Sequence, residues 1–369
     1  MIGFILQFSV ATLLSSCTVL AVTPIVASTT NYGSLVNAGL NRDSCSSSLW
    51  SNNVLWVCRD TQPISNGQPT FPIVANTASF SSFPSDPSNP QPLVLSSPQG
   101  FGTLFYPLEA DECPPFGVCS DGTRWVGWPD TGPVVTFRGG NGSANGYAFM
   151  TRTHLSGLSV INIPSYSLYH VISQSAGPIP ATNLEISNFW TSTQIGYGSA
   201  ASVVSNGFAY LYGATPNGKL AVARAAQTAF LGALDDKSLY QYYVNGVWTT
   251  TVPASNDTGI PLPNTTSAQG TIYWSPKWQS YVWIGGDGFP DANFYISTAP
   301  NPEGPWTAPT LFFTGVPGVG SLPAYSTVAH PSLTDGTGNY IFITWTRTIQ
   351  NPTGTGTVYE QPLVRVDWE

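Results

Sequence analysis

Charge is what this sequence has least of. Only 8% of its 369 residues are Asp, Glu, Lys or Arg, and the 11 basic residues are outnumbered by 19 acidic ones, for a formal net charge of −8. Nucleic acids and anionic membranes are held by basic patches, so this composition excludes both as partners and leaves neutral polymers such as glycans unopposed. There are three histidines. They show no paired spacing and no CxxC accompanies them, so no metal site is expected. Nothing in the sequence calls for a cofactor, and without a GxSxG element no Ser-His-Asp arrangement can be read. Helical periodicity is also missing, apart from one turn around residues 227–234. No apolar run after the first 21 residues is long enough to cross a bilayer.

Those first 21 residues read as a secretory signal. Residues 4–20 are mostly apolar and Val19-Leu20-Ala21 is a small-residue cleavage pattern, with a second cut site after Ala27. The mature chain, residues 22–369, is then expected to be secreted, soluble and monomeric. Cys17 leaves with the signal and four cysteines remain, an even number that suggests disulfides in a secreted protein. Three connectivities are open to them. Pairing in sequence order, Cys45 with Cys58 and Cys113 with Cys119, is the one adopted here. Asn141, Asn256 and Asn264 begin glycosylation sequons and should lie on the surface.

What the chain does have is glycine, proline and aromatic residues in quantity. Short aromatic or β-branched runs alternate with Gly, Pro, Asn and Ser, which indicates an all-β fold. Asn206-Gly207, Asn217-Gly218 and Asn245-Gly246 are hairpin turns. The runs fall into five groups of three or four strands at even spacing, the pattern of a five-bladed β-propeller in one domain. The last strand, near residues 363–368, would complete the first blade. A pair of β-sandwiches is the alternative.

Residues 41–61, NRDSCSSSLWSNNVLWVCRDT, organise the rest. They read as two strands joined at Trp50-Ser51-Asn52-Asn53. The register that pairs Leu49 with Val54 also pairs Cys45 with Cys58 and Asp43 with Asp60. All four side chains then share one face. Opposed like charges repel, and a close carboxylate pair is the recurrent apparatus of glycosidic-bond cleavage. The competing reading gives each aspartate a local hydrogen bond at a strand end. By strand alternation Arg42 and Arg59 should point away from the pair, toward ion pairs or blade packing.

Further candidates gather around this pair. Asp130 follows the aromatic strand Trp125-Val126-Gly127-Trp128-Pro129 and either binds a sugar hydroxyl or closes a turn. Glu185 lies near Phe189 and Trp190, where a loop position is the simpler reading. Trp190 and Tyr197 offer faces on which sugar rings could stack, against a core role in the blades. His330, before Pro331, is either structural or part of a central pocket.

The segments Asn41-Arg42-Asp43, Arg59-Asp60-Thr61, Tyr197-Gly198-Ser199-Ala200 and Gly207 to Gly213 resemble a secreted family catalogued as domain of unknown function 4185. Ser297-Thr298-Ala299-Pro300, Gly304-Pro305-Trp306 and Ala329-His330-Pro331 add to the resemblance. Relatives in that family include the endo-D-arabinanases of glycoside hydrolase family 183. The resemblance implies a five-bladed propeller and makes Asp43 and Asp60 the catalytic pair. Arg59 stands where relatives carry a small residue. The expected function is cleavage of a polysaccharide such as an arabinan. A non-catalytic glycan-binding or interaction propeller is the alternative.

Overall fold

The computed structural model describes residues 22–84, 88–96, 102–174, 179–227 and 234–369. The expected signal segment and most of the helical turn near residue 230 lie outside them. Among the described residues five antiparallel sheets follow one another as blades, with three smaller sheets beside them. The first contains Cys45–Trp50, Asn53–Cys58 and Thr77–Ser81. The second runs Val134–Arg138, Ala144–Thr151, Ser165–Ser173 and Ala181–Thr191. The third begins at Ala201–Ser205 and ends at Val247–Thr249, and the fourth runs from Gly270–Ser275 to Thr310–Thr314. The fifth begins with Ala324–Ala329 and Tyr340–Gln350.

The first strand of each sheet is innermost. An axial cavity of about 300 Å³ takes its walls from all five blades, with Ser47, Val134, Ser202 and Thr271 on the first strands of blades 1 to 4 and Ser332 in the helical turn that follows the first strand of blade 5. Every neighbouring pair of sheets also shares an apolar cluster. Trp50, Leu55, Tyr169 and Val171 join the first two, Phe149, Trp190, Leu211 and Tyr240 the next two, and Tyr32, Trp56 and Phe342 join the fifth back to the first. The protein is a five-bladed β-propeller, as the strand grouping predicts. Its blades are held by burial of large aromatic surfaces between sheets.

Ring closure differs from expectation. Pro362–Trp368 does not complete blade 1. It pairs with Tyr340–Gln350 on one side and with the N-terminal strand Val26–Ser34 on the other, so both ends of the chain finish blade 5. The turns follow the sequence more closely. Asn206-Gly207 and Asn245-Gly246 both take positive φ, as a two-residue I′ hairpin demands. Ser51, with φ of 53°, turns the first hairpin.

Both disulfides are present, Cys45–Cys58 and Cys113–Cys119. Cys45–Cys58 closes the longer loop, with a sequence separation of 13 against 6. In the chain-entropy account, replacing the first pair by serines should lower stability by about 3 kcal/mol and the second by about 2 kcal/mol. Urea unfolding of the two double variants checks the order.

Candidate functional site

The register read from the sequence is the observed one. Leu49 faces Val54 and Cys45 faces Cys58. The same register resumes beyond the disulfide, where Arg42 faces Thr61. Between these ladders the backbone nitrogen of Asp43 donates to the Asp60 carbonyl at 2.8 Å, and that of Arg59 to the Asp43 carbonyl at 2.9 Å. Asp43 and Asp60 are therefore opposed, but not within a flat strand. Ser44 takes a φ of 38°, an unusual value for a residue with a side chain. Its amide donates to Thr346 Oγ1 at 3.0 Å, and its hydroxyl contacts Asp43 Oδ1 at 2.7 Å and Ser326 Oγ at 2.6 Å. On the facing strand Arg59 and Asp60 lie in a bend between Asn53–Cys58 and Thr61–Ser65, so strict strand alternation does not govern the Arg59 side chain.

The two aspartates sit in unlike surroundings. Asp43 is buried, with 8% of its surface exposed. Burial pushes its carboxyl above the usual aspartate range. The Arg59 charge and the Ser44 hydroxyl oppose this in part, the Asp60 charge reinforces it, and a hydrogen bond with Tyr325 opposes it. Asp60 is held instead by a guanidinium. Arg124 reaches its two oxygens at 3.1 and 2.8 Å, and Trp128 Nε1 donates to Oδ1 at 3.0 Å. Two carboxyls in contrasting environments are how one site keeps an acid beside an anion.

Both lie at the mouth where the inner strands begin. Beside them is a cavity of about 320 Å³ lined by Arg59, Trp128, Asp130, Tyr166, Ala200 and Gln269 among others. Asp130 is ion-paired with Arg59, whose charge also acts on Asp43. Arg59 thus lines this cavity, and its charge acts on Asp43. Arg42 does turn away. It is buried, and its guanidinium donates to Asn37 at 3.2 Å and Ser79 at 2.7 Å.

Four residues of the site escaped the sequence reading: Arg124, Trp128, Tyr325 and Tyr359. Burial and the Asp43 charge hold the Tyr325 phenol far above its usual range, and burial with both aspartates pushes Tyr359 to about 12. Neither tyrosine carries a local signal, because each reaches Asp43 from blade 5 at the far end of the chain.

The other candidates lie elsewhere. Trp190 and Tyr197 are fully buried between blades 2 and 3 and offer no face to a sugar. Glu185 is exposed on the outermost strand of blade 2, away from the mouth. His330 is fully buried, its Nδ1 bonded to Ser47 at 2.8 Å and its Nε2 to Thr344 at 2.7 Å, so it ties blade 5 to blade 1 and has no surface for a ligand. Asn141, Asn256 and Asn264 are all exposed. Among the described residues no group of three or more His, Cys, Asp or Glu could hold a metal ion. None of the helices described is long and apolar enough to cross a membrane.

Burial lowers His330 to about 3. A group whose folded value falls below its unfolded value of about 6.5 contributes stability that is present above that value and is lost as the pH falls. Taking wild type from pH 7 to 4.5 should cost on the order of 2–3 kcal/mol through this residue alone. In His330→Asn the same pH step should cost that much less, measured by urea unfolding at both pH values.

Among solved structures the chain resembles a provisionally named hydrolase of Bacteroides ovatus, with a TM-score of 0.57 and 16% identity over 88% of this chain and 85% of that one. At that identity the likeness concerns the fold. A GH43_1 enzyme of Xanthomonas citri, solved with xylotriose, has a TM-score of 0.48 and 12% identity over 91% and 90%. The catalytic domain of a GH62 α-L-arabinofuranosidase of Coprinopsis cinerea has a TM-score of 0.44 and 10% identity over 94% and 96%. No curated protein matches the sequence. The resemblance to domain of unknown function 4185 and family 183 is not upheld, because a different family model matches. The motifs that suggested it are short and loose enough to recur in other propellers. The matching model covers residues 143–362, more than half of the sequence, and the chain belongs to the family it defines, the domain of unknown function DUF5005.

Proposed function

We propose that this protein is a secreted glycoside hydrolase that cleaves a neutral polysaccharide at the mouth of the propeller. Asp43 supplies the proton and Asp60 is the partner carboxylate. The observation that carries this reading is the contrast between them: Asp43 is desolvated and biased toward its protonated form, while Asp60, opposite it, is ion-paired with Arg124. A carboxyl that keeps its proton can protonate a leaving glycosidic oxygen, and an adjacent anion can stabilise or trap the oxocarbenium-like centre. Arg59 and Asp130, at the rim, would contact the sugar. The low-charge surface suits a neutral glycan, and the two disulfides suit an oxidising compartment.

The test is reducing-sugar release from linear arabinan, arabinoxylan and β-1,3-galactan by wild type, Asp43→Asn and Asp60→Asn. Turnover of at least one polymer by wild type, lost in both variants, is the expected result. Turnover unaffected by either substitution would remove the pair from the mechanism.

One observation favours a second reading, a binding propeller without catalysis. Asp60 and Asp130 are both neutralised by arginines, Arg124 and Arg59. In that case the polymers bind, none is cleaved, and Asp43→Asn leaves affinity unchanged.

A further inference from the structure

Another cavity, of about 510 Å³, is larger than the axial one and the one at the mouth. It opens at the other end of blade 2. The strands Ala144–Thr151 and Ser165–Ser173 line the mouth cavity with Thr151 and Tyr166, and this one with Ala144 and Ser173. Extended strand of about 23 Å separates the two ends. The volume lies within the range of about 300–1,000 Å³ usual for small-ligand sites. Tyr147 and His170 are stacked in its wall, with ring centroids 5.0 Å apart and planes 18° from parallel. Phe137, 47% exposed, adds a second aromatic surface. Glu185 is exposed and Asp235 half-buried, and none of the described lining residues is Lys or Arg. Burial raises the Tyr147 phenol to about 12, and the charges of Asp235 and Glu185 add to the effect, so both carboxylates lie close to the aromatic wall.

The rim of this cavity is the turn Gly139-Gly140-Asn141-Gly142-Ser143, which joins the first two strands of blade 2 and holds the sequon at Asn141. The Gly139 amide donates to the Ser143 carbonyl at 2.8 Å and closes the turn. Asn141 Oδ1 accepts from the Ser143 amide at 3.0 Å and from its hydroxyl at 2.7 Å. Both bonds use the oxygen, so Nδ2, the atom that carries a glycan, is not tied to the turn. A Cβ placed on Gly139 would lie 3.1 Å from Asn141 Oδ1 and 3.4 Å from the Phe137 ring, so carboxamide and ring border one small space. Ser143 itself lines the cavity. The other sequons differ. None of their residues lines this cavity, and Asn264 Nδ2 donates to the Trp306 carbonyl at 3.0 Å.

We propose that this cavity docks the chain's own N-glycan: the first sugar units attached at Asn141 fold back over Phe137 and direct hydroxyl and acetamide N–H groups to Glu185 and Asp235. An aromatic ring offers a flat apolar face to the C–H side of a sugar. A carboxylate accepts from hydroxyl and amide donors more strongly than a neutral group does. Attachment at the rim makes the contact intramolecular, at an effective concentration of the order of mM, so individually weak contacts are enough to hold the sugar. The assignment rests on secretion through a glycosylating compartment and not on the hydrolase reading. It leaves the mouth open.

The test uses the full chain secreted from a glycosylating host, with glycopeptide mass spectrometry at each sequon. Asn141 should be occupied. Under native conditions peptide-N-glycosidase should release the Asn141 glycan about tenfold more slowly from wild type than from Phe137→Ala, with no such difference at the other sequons. Phe137 is half exposed, so its truncation should leave the fold intact. Phe137→Leu keeps bulk but loses the flat face, and its release rate should lie nearer that of Phe137→Ala. Enzymatic removal of the glycan should lower Tm by about 1–2 °C in wild type and leave Phe137→Ala unchanged. A vacant Asn141, or a release rate and Tm indifferent to Phe137, would overturn the docking. A vacant Asn141 together with calorimetric binding of glucosamine that Asp235→Asn abolishes would overturn it too, and would give the cavity to a free amine.

Discussion

Asp43→Asn is expected to raise thermal stability at neutral pH while lowering hydrolysis by ~10²–10⁴-fold, the usual contribution of a general acid–base group. Both effects have one cause. The carboxyl is buried beneath Tyr325 and Ser44, where its charged form is poorly solvated and its pKa is raised. A raised folded pKa means that the stability due to this group is fully present below the ordinary aspartate value. It is lost as the pH rises through the raised value. At pH 7 the wild type therefore carries a penalty that Asn does not. The Asn side chain keeps an oxygen to accept from the Ser44 hydroxyl and from Tyr325. A gain on the order of 1 kcal/mol at pH 7 is typical for relief of a strained active-site group, worth about 2 °C in a chain of this size. Below pH 4 the two proteins should melt together. Calorimetry at pH 4 and 7, with rates on the best polymer, measures both arms. A variant less stable than wild type at pH 7 would mean that Asp43 is held as an anion by Arg59, and the assignment of the proton to Asp43 would fail.

The sequence was most informative where the physics is local. The 45–58 hairpin has a polar turn, an apolar strand and a cysteine on each arm, so one register opposes the cysteines across the turn, and the structure keeps it. It was least informative where a single residue changes direction. Nothing in the string Arg42-Asp43-Ser44-Cys45 announces a positive φ at Ser44, and nothing in Cys58-Arg59-Asp60 announces the bend from which Arg59 pairs with Asp130. Long-range partners were equally silent. Arg124, Tyr325 and Tyr359 reach the aspartates because five sheets close into a ring, and ring closure was itself misassigned. The N-terminal strand Val26–Ser34 is mixed in polarity and gave little sign that it pairs with Pro362–Trp368. Ala181–Thr191 was missed for a similar reason. It is the outer strand of blade 2, and only Phe189 and Trp190 in it are buried. Trp190 looked like a sugar platform because aromatic residues signal core and ligand stacking alike. Only the burial of Trp190 decides between them.

Arg152→Ala should be the most destabilising single change among the charged residues, by about 3–5 kcal/mol. The guanidinium is 8% exposed and serves three carboxylates. Its Nε lies 2.8 Å from Glu112 and 3.3 Å from Glu109, and one terminal nitrogen lies 3.0 Å from Asp111. Glu112 is 3% exposed. Removing the arginine leaves the buried Glu112 and the half-buried Glu109 without their counter-charge, a cost above that of a surface ion pair. Arg152→Lys should recover only part of the loss because one ammonium cannot reproduce the fork. The effect should extend to the active site. The Arg152 guanidinium lies 5.6 Å from the Trp125 ring centroid. Trp125 belongs to the strand Arg124–Val126, which pairs with Thr153–Ser156 just after Arg152. That strand presents Arg124 to Asp60. Loosening it should free Asp60 from its counter-charge, so activity should fall at temperatures well below the variant's own melting point. Urea unfolding at pH 7, with rates taken about 15–20 °C below Tm, separates this positional loss from simple unfolding. A variant that is less stable but fully active would show that Arg124 keeps its place without Arg152.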